Sequence, residues 1–321
     1  MITFGPATTK WLNALTESTR STYLPGLTKF QSYLQTQELY PEIMNSDVFL
    51  KAISNDRKLD LLDQRFVDRD LIKGFTAYLL TLKEPKPLTP KTVRDYAGVP
   101  QSLGKFWGIS ISTEYAELPP GVVTNEKYPW SIEKVGEFIK GMDNLLYQCL
   151  GVCFVQSGLS NWDLLKMPYG KVREQLEAGV EPLCLKLVRH KTQRFEVVFR
   201  TCIGSLGIRF LKEHVASLGS LADDRLLFPV GNNALEGYFA RQAKKFLGAD
   251  FKEGFRNPCV PSSLRTGFRT LLTDADCPES FVEYWMGHNL NQDLRKTYTN
   301  KSDDSWRETY RKYEHCLTFE G

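Results

Sequence analysis

The chain has 321 residues, 42% of them hydrophobic and 25% charged, a globular mix that excludes a disordered tail protein, a collagen and a small disulfide scaffold. At ~150 residues per domain, two domains are expected. Lys and Arg total 41 and Asp and Glu 38, a net charge of +3, with 14 basic and 13 acidic residues before position 124, so bulk charge alone does not argue for a nucleic-acid partner.

The opening residues MITFGPATTKWLNALTESTR combine neither a basic start nor an apolar stretch, so no secretory signal is expected. No run of ~18 apolar residues predicts a membrane span. In residues 18–34, Tyr23, Leu27, Phe30 and Leu34 recur at helical spacing and predict an amphipathic helix. Phe66, Leu71, Phe75, Tyr78, Leu79 and Leu82 predict a second over 66–82. A third opens at Leu-Thr-Pro-Lys, 88–91, with Thr89 as N-cap and Pro90 in the first helical position. It runs through Val93, Tyr96, Val99, Leu103 and Phe106, with a kink expected at Pro100. The amino-terminal part therefore reads as a bundle of about four helices.

Residues 109–131 break the periodicity and carry Pro119, Pro120, Gly121 and Pro129. Consecutive prolines hold the backbone extended and end helices. Domains are accordingly drawn at 1–118 and 131–321, with a linker over 119–130 and the boundary near 124.

Past the linker, Ser131 and Glu133 open a helix containing Val135, Phe138 and Ile139. Residues 145–156, LLYQCLGVCFVQ, are apolar nearly all round, which suits a buried central helix. Two apolar runs, Cys184–Val188 and Phe195–Phe199, flank a polar turn with His190, Lys191, Thr192 and Gln193, the pattern of a β-hairpin. Helical periodicity returns at 203–218, 234–247, 263–275 and 279–286. Trp306, Tyr310 and Tyr313 then share one helical face, followed by Leu317 and Phe319. The fold class is thus mainly α with a small antiparallel β-sheet. Seven scattered cysteines, none in a Cys-x-x-Cys pair, fit reduced thiols of a cytoplasmic or nuclear compartment.

No Walker-type glycine loop, His-Glu-x-x-His or Gly-x-Ser-x-Gly occurs. Four histidines without clustered ligands argue against a metal site, and no cofactor is expected. What remains is a spaced series: S-G-L-S-N-W-D-L-L-K-M at 157–167, the hairpin Lys191, S-S-L-R-T-G-F-R-T at 262–270, M-G-H at 286–288, and Tyr298 in K-T-Y-T-N.

In order and spacing this series resembles the catalytic domain of the tyrosine recombinases, the phage-integrase-like DNA strand-exchange enzymes. It is closest to the integrase-like recombinases of archaeal and bacterial mobile elements, whose helix reads S-G-L-S or S-G-M-S. The resemblance covers most of the chain, including the helical part before the linker and the ending Y-R-K-Y-E-H-C-L-T-F at 310–319. It implies a two-domain, C-shaped DNA clamp, with a helical, SAM-like core-binding domain and a tyrosine recombinase catalytic domain. The function it implies is site-specific cleavage and rejoining of DNA, as in integration or excision of a mobile element. A tyrosine attacks the phosphodiester, a 3′-phosphotyrosyl link forms, and neither ATP nor metal is needed.

The same resemblance assigns Tyr298 as nucleophile, Arg265 as a phosphate-binding arginine, His288 as a second phosphate ligand and Lys191 as the acid for the departing 5′-oxygen. Such chemistry calls for cations around the non-bridging oxygens and a proton donor at the leaving group. The polar surroundings of Tyr298 predict an exposed ring, whereas Tyr284, Tyr310 and Tyr313 lie in periodic stretches and fit packing.

Two positions depart from the family pattern. Ser160 stands where many relatives carry the first arginine, and Ser262 where they carry the histidine of His-x-x-Arg. Serine hydrogen-bonds phosphate but brings no charge. Three explanations stay open: Arg189, Arg194 or Arg200 fills the gap, a reduced set of residues suffices, or the protein is a non-catalytic relative that binds a recombination site without cutting it. For the DNA partner, Lys91, Arg94 and Lys105 lie opposite the apolar stripe of their helix. Arg20 lies in the first turn of another, and Arg241, Lys244 and Lys245 form a basic cluster in the second domain. Each reads equally as DNA contact or as a solvated face. The tail after Tyr298 packs either on its own domain or, as in the relatives, on a neighbouring protomer of a tetramer on DNA.

Overall fold

The computed structural model describes residues 4–83, 87–114, 116–120, 128–188, 198–250, 257–288 and 290–320. The chain divides into two units, Met1–Thr124 and Asn125–Gly321. Among the described residues no helix is long and apolar enough to cross a membrane.

Unit 1 holds five helices among its described residues: α1 (Pro6–Ala14), α2 (Glu17–Thr36), α3 (Ser46–Asp56), α4 (Val67–Thr81) and α5 (Pro90–Phe106). Phe30, Phe49 and Phe75, one from each of α2, α3 and α4, meet edge to face with centroids 5.1 and 4.9 Å apart, the preferred geometry for buried rings. Gly26 lets α2 approach Tyr96 and Val99 of α5, where a methyl group would come within 2.9 Å of the Tyr96 ring. Thr89 Oγ1 accepts from Thr92 N at 3.2 Å, capping α5 as its sequence predicts. That helix is continuous past the buried Pro100. The bundle exceeds the expected four helices by α1, which opens with Pro6 at its first helical position but has no side-chain cap of its own. Its N-terminus is capped by Asp47, forty residues on, which accepts from Ala7 N at 2.8 Å and Thr8 N at 3.0 Å.

Unit 2 is built on α7 (Leu145–Ser157), buried from Cys149 to Ser157. Around it lie α6 (Ile132–Lys140), α8 (Asn161–Leu165), α9 (Arg173–Glu177), α10 (Ser205–Leu218), α11 (Asn232–Leu247), α12 (Pro261–Asp274) and α13 (Glu279–Trp285), followed by α14 (Gln292–Thr299) and α15 (Asp303–Arg311). The sheet is one antiparallel pair, β1 (Leu183–Val188) with β2 (Val198–Ile203), in the register Leu183↔Ile203 to Val188↔Val198. The predicted second strand begins at 195, but its described part runs on to Ile203. Arg189, Lys191 and Arg194 lie between the strands, outside the described residues.

Within the single chain the tail packs on its own unit. Trp306 and Tyr310 are fully buried, and Tyr310 Oη donates to Gln156 O at 2.8 Å. Glu314 accepts from Ser205 N at 2.6 Å, satisfying an orphan donor at the start of α10. Phe319 covers Gly136 of α6, where an added methyl group would stand 3.1 Å from that ring.

Candidate active site

Three consecutive residues of β2 reach three of the motif segments. Thr201 Oγ1 donates to Ser157 O at 2.6 Å, tying in the S-G-L-S turn. Arg200 Nη1 donates to Thr299 O at 3.1 Å, beside Tyr298. Phe199 lies over Gly287 in the Met-Gly-His turn, where an added methyl group would stand 3.1 Å from the ring. Gly287 has φ +65° and Gly158 φ +62°, the left-handed region that glycine enters without the Cβ penalty. Gly158 also abuts Phe268 of α12 and Met286. Segments 130 residues apart in sequence thereby converge on one strand.

At the convergence, Arg265 Nη2 donates to Met286 O at 2.7 Å and lies 3.0 Å from His288 Nε2. His288 Nδ1 lies 2.6 Å from Glu283 Oε2, and Glu283 Oε1 is 3.2 Å from Arg269 Nη2, which also pairs with Glu279 at 2.7 Å. A guanidinium has only donors, so Nε2 is the acceptor. The pattern assigns a neutral ring with its proton on Nδ1, donated to the carboxylate. The predicted Arg265 and His288 are therefore in direct contact. Glu283, which sequence reasoning missed, orients the imidazole from the opposite side.

Tyr298 departs from expectation. Its ring is 8% exposed, packed among Phe281, Tyr284 and Trp306 with centroids 5.3 to 5.6 Å away. Its hydroxyl lies 2.7 Å from Ser280 Oγ. The prediction of an exposed ring fails because α13 and α15 bring their aromatic side chains onto α14. Ser280 and Glu283 stand three apart on α13, so neighbouring turns of one helix hold Tyr298 and His288.

No family model and no curated protein matches the chain. Solved structures do. The XerH site-specific recombinase bound to its difH substrate, in a pre-cleavage complex, superposes with a TM-score of 0.54 at 16% identity, over 90% of this chain and 77% of that one. The post-cleavage complex of XerH on a palindromic difH substrate gives 0.53 at 16%, over 92% and 80%. The Tn1549 transposon integrase in complex with transposon right end DNA gives 0.52 at 14%, over 90% and 99%.

The fold is that of the tyrosine recombinases.

Within this tyrosine recombinase fold, Ser160 is engaged locally. It caps α8, donating from Oγ to Asp163 Oδ2 at 2.6 Å while Asp163 N lies 3.3 Å from its oxygen. This is a capping box, and the sequence Ser-x-x-Asp carried the signal for it. Ser262 lies exposed in the first turn of α12. Arg200, weighed as a stand-in for the missing arginine, is committed to Thr299 and to Asp303, whose Oδ1 lies 2.7 Å from its Nε. Burial opposes its charge, but the Asp303 and Tyr284 interactions together outweigh that effect and hold its pKa above the ordinary arginine value.

The predicted DNA-contact residues fall in separate places on the two units. Lys91, Arg94 and Lys105 share the exposed face of α5, and Arg94 Nε donates to Pro119 O at 2.9 Å. Arg20 is half-buried, its Nε donating to Leu12 O at 3.0 Å. Arg241 and Lys244 are exposed on α11, with the Arg241 guanidinium 5.7 Å from the Tyr238 ring centre. Lys245 pairs with Asp143 at 3.3 Å.

Proposed function

We propose that this protein is a site-specific DNA recombinase that cleaves and rejoins a duplex through a 3′-phosphotyrosyl intermediate. In this reading the Tyr298 oxygen bonds to phosphorus as the P–O5′ bond breaks. The phenol gives its proton to water, and Lys191 protonates the 5′-oxygen. Arg265 and His288 take the non-bridging oxygens, whose charge grows in the transition state. A phosphate oxygen entering between Arg265 and His288 Nε2 replaces an acceptor with a stronger one for the guanidinium. Glu283 then favours a second proton on the imidazole, turning Nε2 into a donor. Lys91, Arg94 and Lys105 on one unit, and Arg241 and Lys244 on the other, are the proposed phosphate contacts that fix register. The working form is a homo-oligomer on DNA, a tetramer in the simplest case.

The observation that carries the reading is the Arg265–His288–Glu283 network, on a helix that also holds Tyr298 through Ser280. The recombinase and integrase structures with this fold that were solved on DNA support it as well. A second reading, a DNA-binding relative that does not cut, draws on the buried Tyr298 ring and on the capping role of Ser160.

One experiment separates them. The full chain is incubated with nicked duplexes of random sequence, and protein–DNA complexes that survive denaturing detergent are recovered and sequenced. The recombinase reading expects a covalent product lost in Tyr298→Phe. DNA retention with no covalent product selects the binding module. No salt-dependent retention at all excludes both.

A further inference from the structure

The last carbonyls of a helix have no donor within it. In α14, two of them are taken by side chains from elsewhere. Trp306 Nε1 donates to Tyr298 O at 3.3 Å, and Arg200 Nη1 to Thr299 O at 3.1 Å. Arg200 is a charged side chain left only 11% exposed, and its direction is set by Asp303 at 2.7 Å. A guanidinium is a planar, rigid fork, so fixing Nε fixes where Nη1 points. The backbone at residue 299 is therefore held by a charged donor anchored in a strand. The phenol one residue earlier is held by a neutral hydroxyl and by packing, the weaker kind of hydrogen bond. The residue preceding Arg200 packs on Gly287, so the same strand also supports the turn that leads to His288.

We propose that Arg200 is the positioning residue of the nucleophile: it fixes the carboxy-terminal end of α14 to β2, so that Tyr298 passes from Ser280 to the phosphate about a point set relative to His288. The inference rests on Tyr298 being the attacking residue, as proposed above, and gives Arg200 no contact with a reacting atom. It also accounts for an arginine that the phosphate site does not use.

The test compares the full-length wild type with Arg200→Gln and Arg200→Lys in two measurements. Amide hydrogen exchange over 296–301, read without DNA, is expected to quicken at least ten-fold in Arg200→Gln while α7 keeps its protection. Covalent complex formation, on a nicked duplex recovered from the random pool and held at saturation, is expected to slow between ten- and a hundred-fold with DNA affinity unchanged. Arg200→Lys, which keeps the charge but not the fork, should fall between. Unchanged exchange over 296–301 overturns the inference. So does exchange that rises equally across the whole of unit 2, because that would mark a general stabilising role. A Tyr298-dependent product whose rate Arg200→Gln leaves untouched overturns it alone. Absence of any covalent product, or its persistence in Tyr298→Phe, sinks the reading of the site and this inference with it.

Discussion

Tyr298 Oη and Ser280 Oγ share a hydrogen bond of 2.7 Å, and in the proposed reaction it must break before the phenol reaches phosphorus. A neutral hydrogen bond of this kind contributes about 1 kcal/mol net, which corresponds to a several-fold change in rate if it must break before attack. Ser280→Ala is therefore expected to speed covalent complex formation about five-fold without altering DNA affinity. Single-turnover trapping on a nicked duplex checks this. A slower rate would show that the serine assists attack instead of restraining it.

Arg265 and His288 touch at 3.0 Å, and Glu283 backs the imidazole at 2.6 Å. Removing a charged donor from a phosphoryl site costs about 10²–10³ in rate, so Arg265→Ala is expected to slow cleavage by that factor. Glu283→Gln keeps the hydrogen-bond geometry but removes the charge that favours a doubly protonated ring. Its expected loss is smaller, about ten-fold, and it should be relieved as the pH is lowered. A pH–rate profile identical in shape to the wild type would refute the assigned role.

Gly158 and Gly287 both hold left-handed backbone, yet their substitutions should differ. At Gly158 an added methyl group would stand 2.5 Å from the Phe268 ring, whereas at Gly287 the nearest approach, to Phe199, is 3.1 Å. Each alanine carries about 1 kcal/mol of backbone strain, and the closer clash adds roughly 1–3 kcal/mol of overpacking. Urea unfolding should therefore rank Gly158→Ala as the more damaging.

His214 gives unit 2 an acid-sensitive point. Its ring is buried, stacked on Phe228 with centroids 5.4 Å apart, and Nε2 lies 2.9 Å from Leu227 O. Burial lowers its pKa below the ordinary 6.5, although the Leu227 hydrogen bond works the other way. As the pH falls below 6.5 the unfolded chain takes up a proton that the folded one resists, so stability declines until the folded pKa is passed. The melting temperature should drop between pH 7 and 5. His214→Gln, which keeps a donor toward Leu227, should flatten that drop.

Elements whose signals are local were legible in the sequence. The stripes of α2 and, from Leu71 on, of α4, the Thr89–Pro90 start of α5 and the all-apolar α7 depend on neighbours within a turn or two. Phe66, counted in the α4 stripe, instead precedes that helix in left-handed backbone and is exposed. Features made by distant partners were not legible. The capping of α1 depends on Asp47, forty residues away, which Pro6 in the first helical position does not reveal. The sequence around Tyr298 is polar and reads as exposed, but Phe281, Tyr284 and Trp306 come from other helices to cover the ring. Ser280, Glu283 and Arg200 belong to no motif in the chain, and what they do is set by what faces them. Arg265 and His288 stood out because their order and spacing resemble a known pattern. Their contact did not, since it requires the turn at Gly287.

Phe319 seated on Gly136 has a bearing on synthesis. The first helix of unit 2 finds part of its cover in residues made almost two hundred positions later, and Glu314 closes the start of α10 in the same way. A nascent chain stalled before these residues emerge would leave that face of α6 and the start of α10 uncovered, whereas the ring contacts that join α2, α3 and α4 draw on nothing made after Phe75.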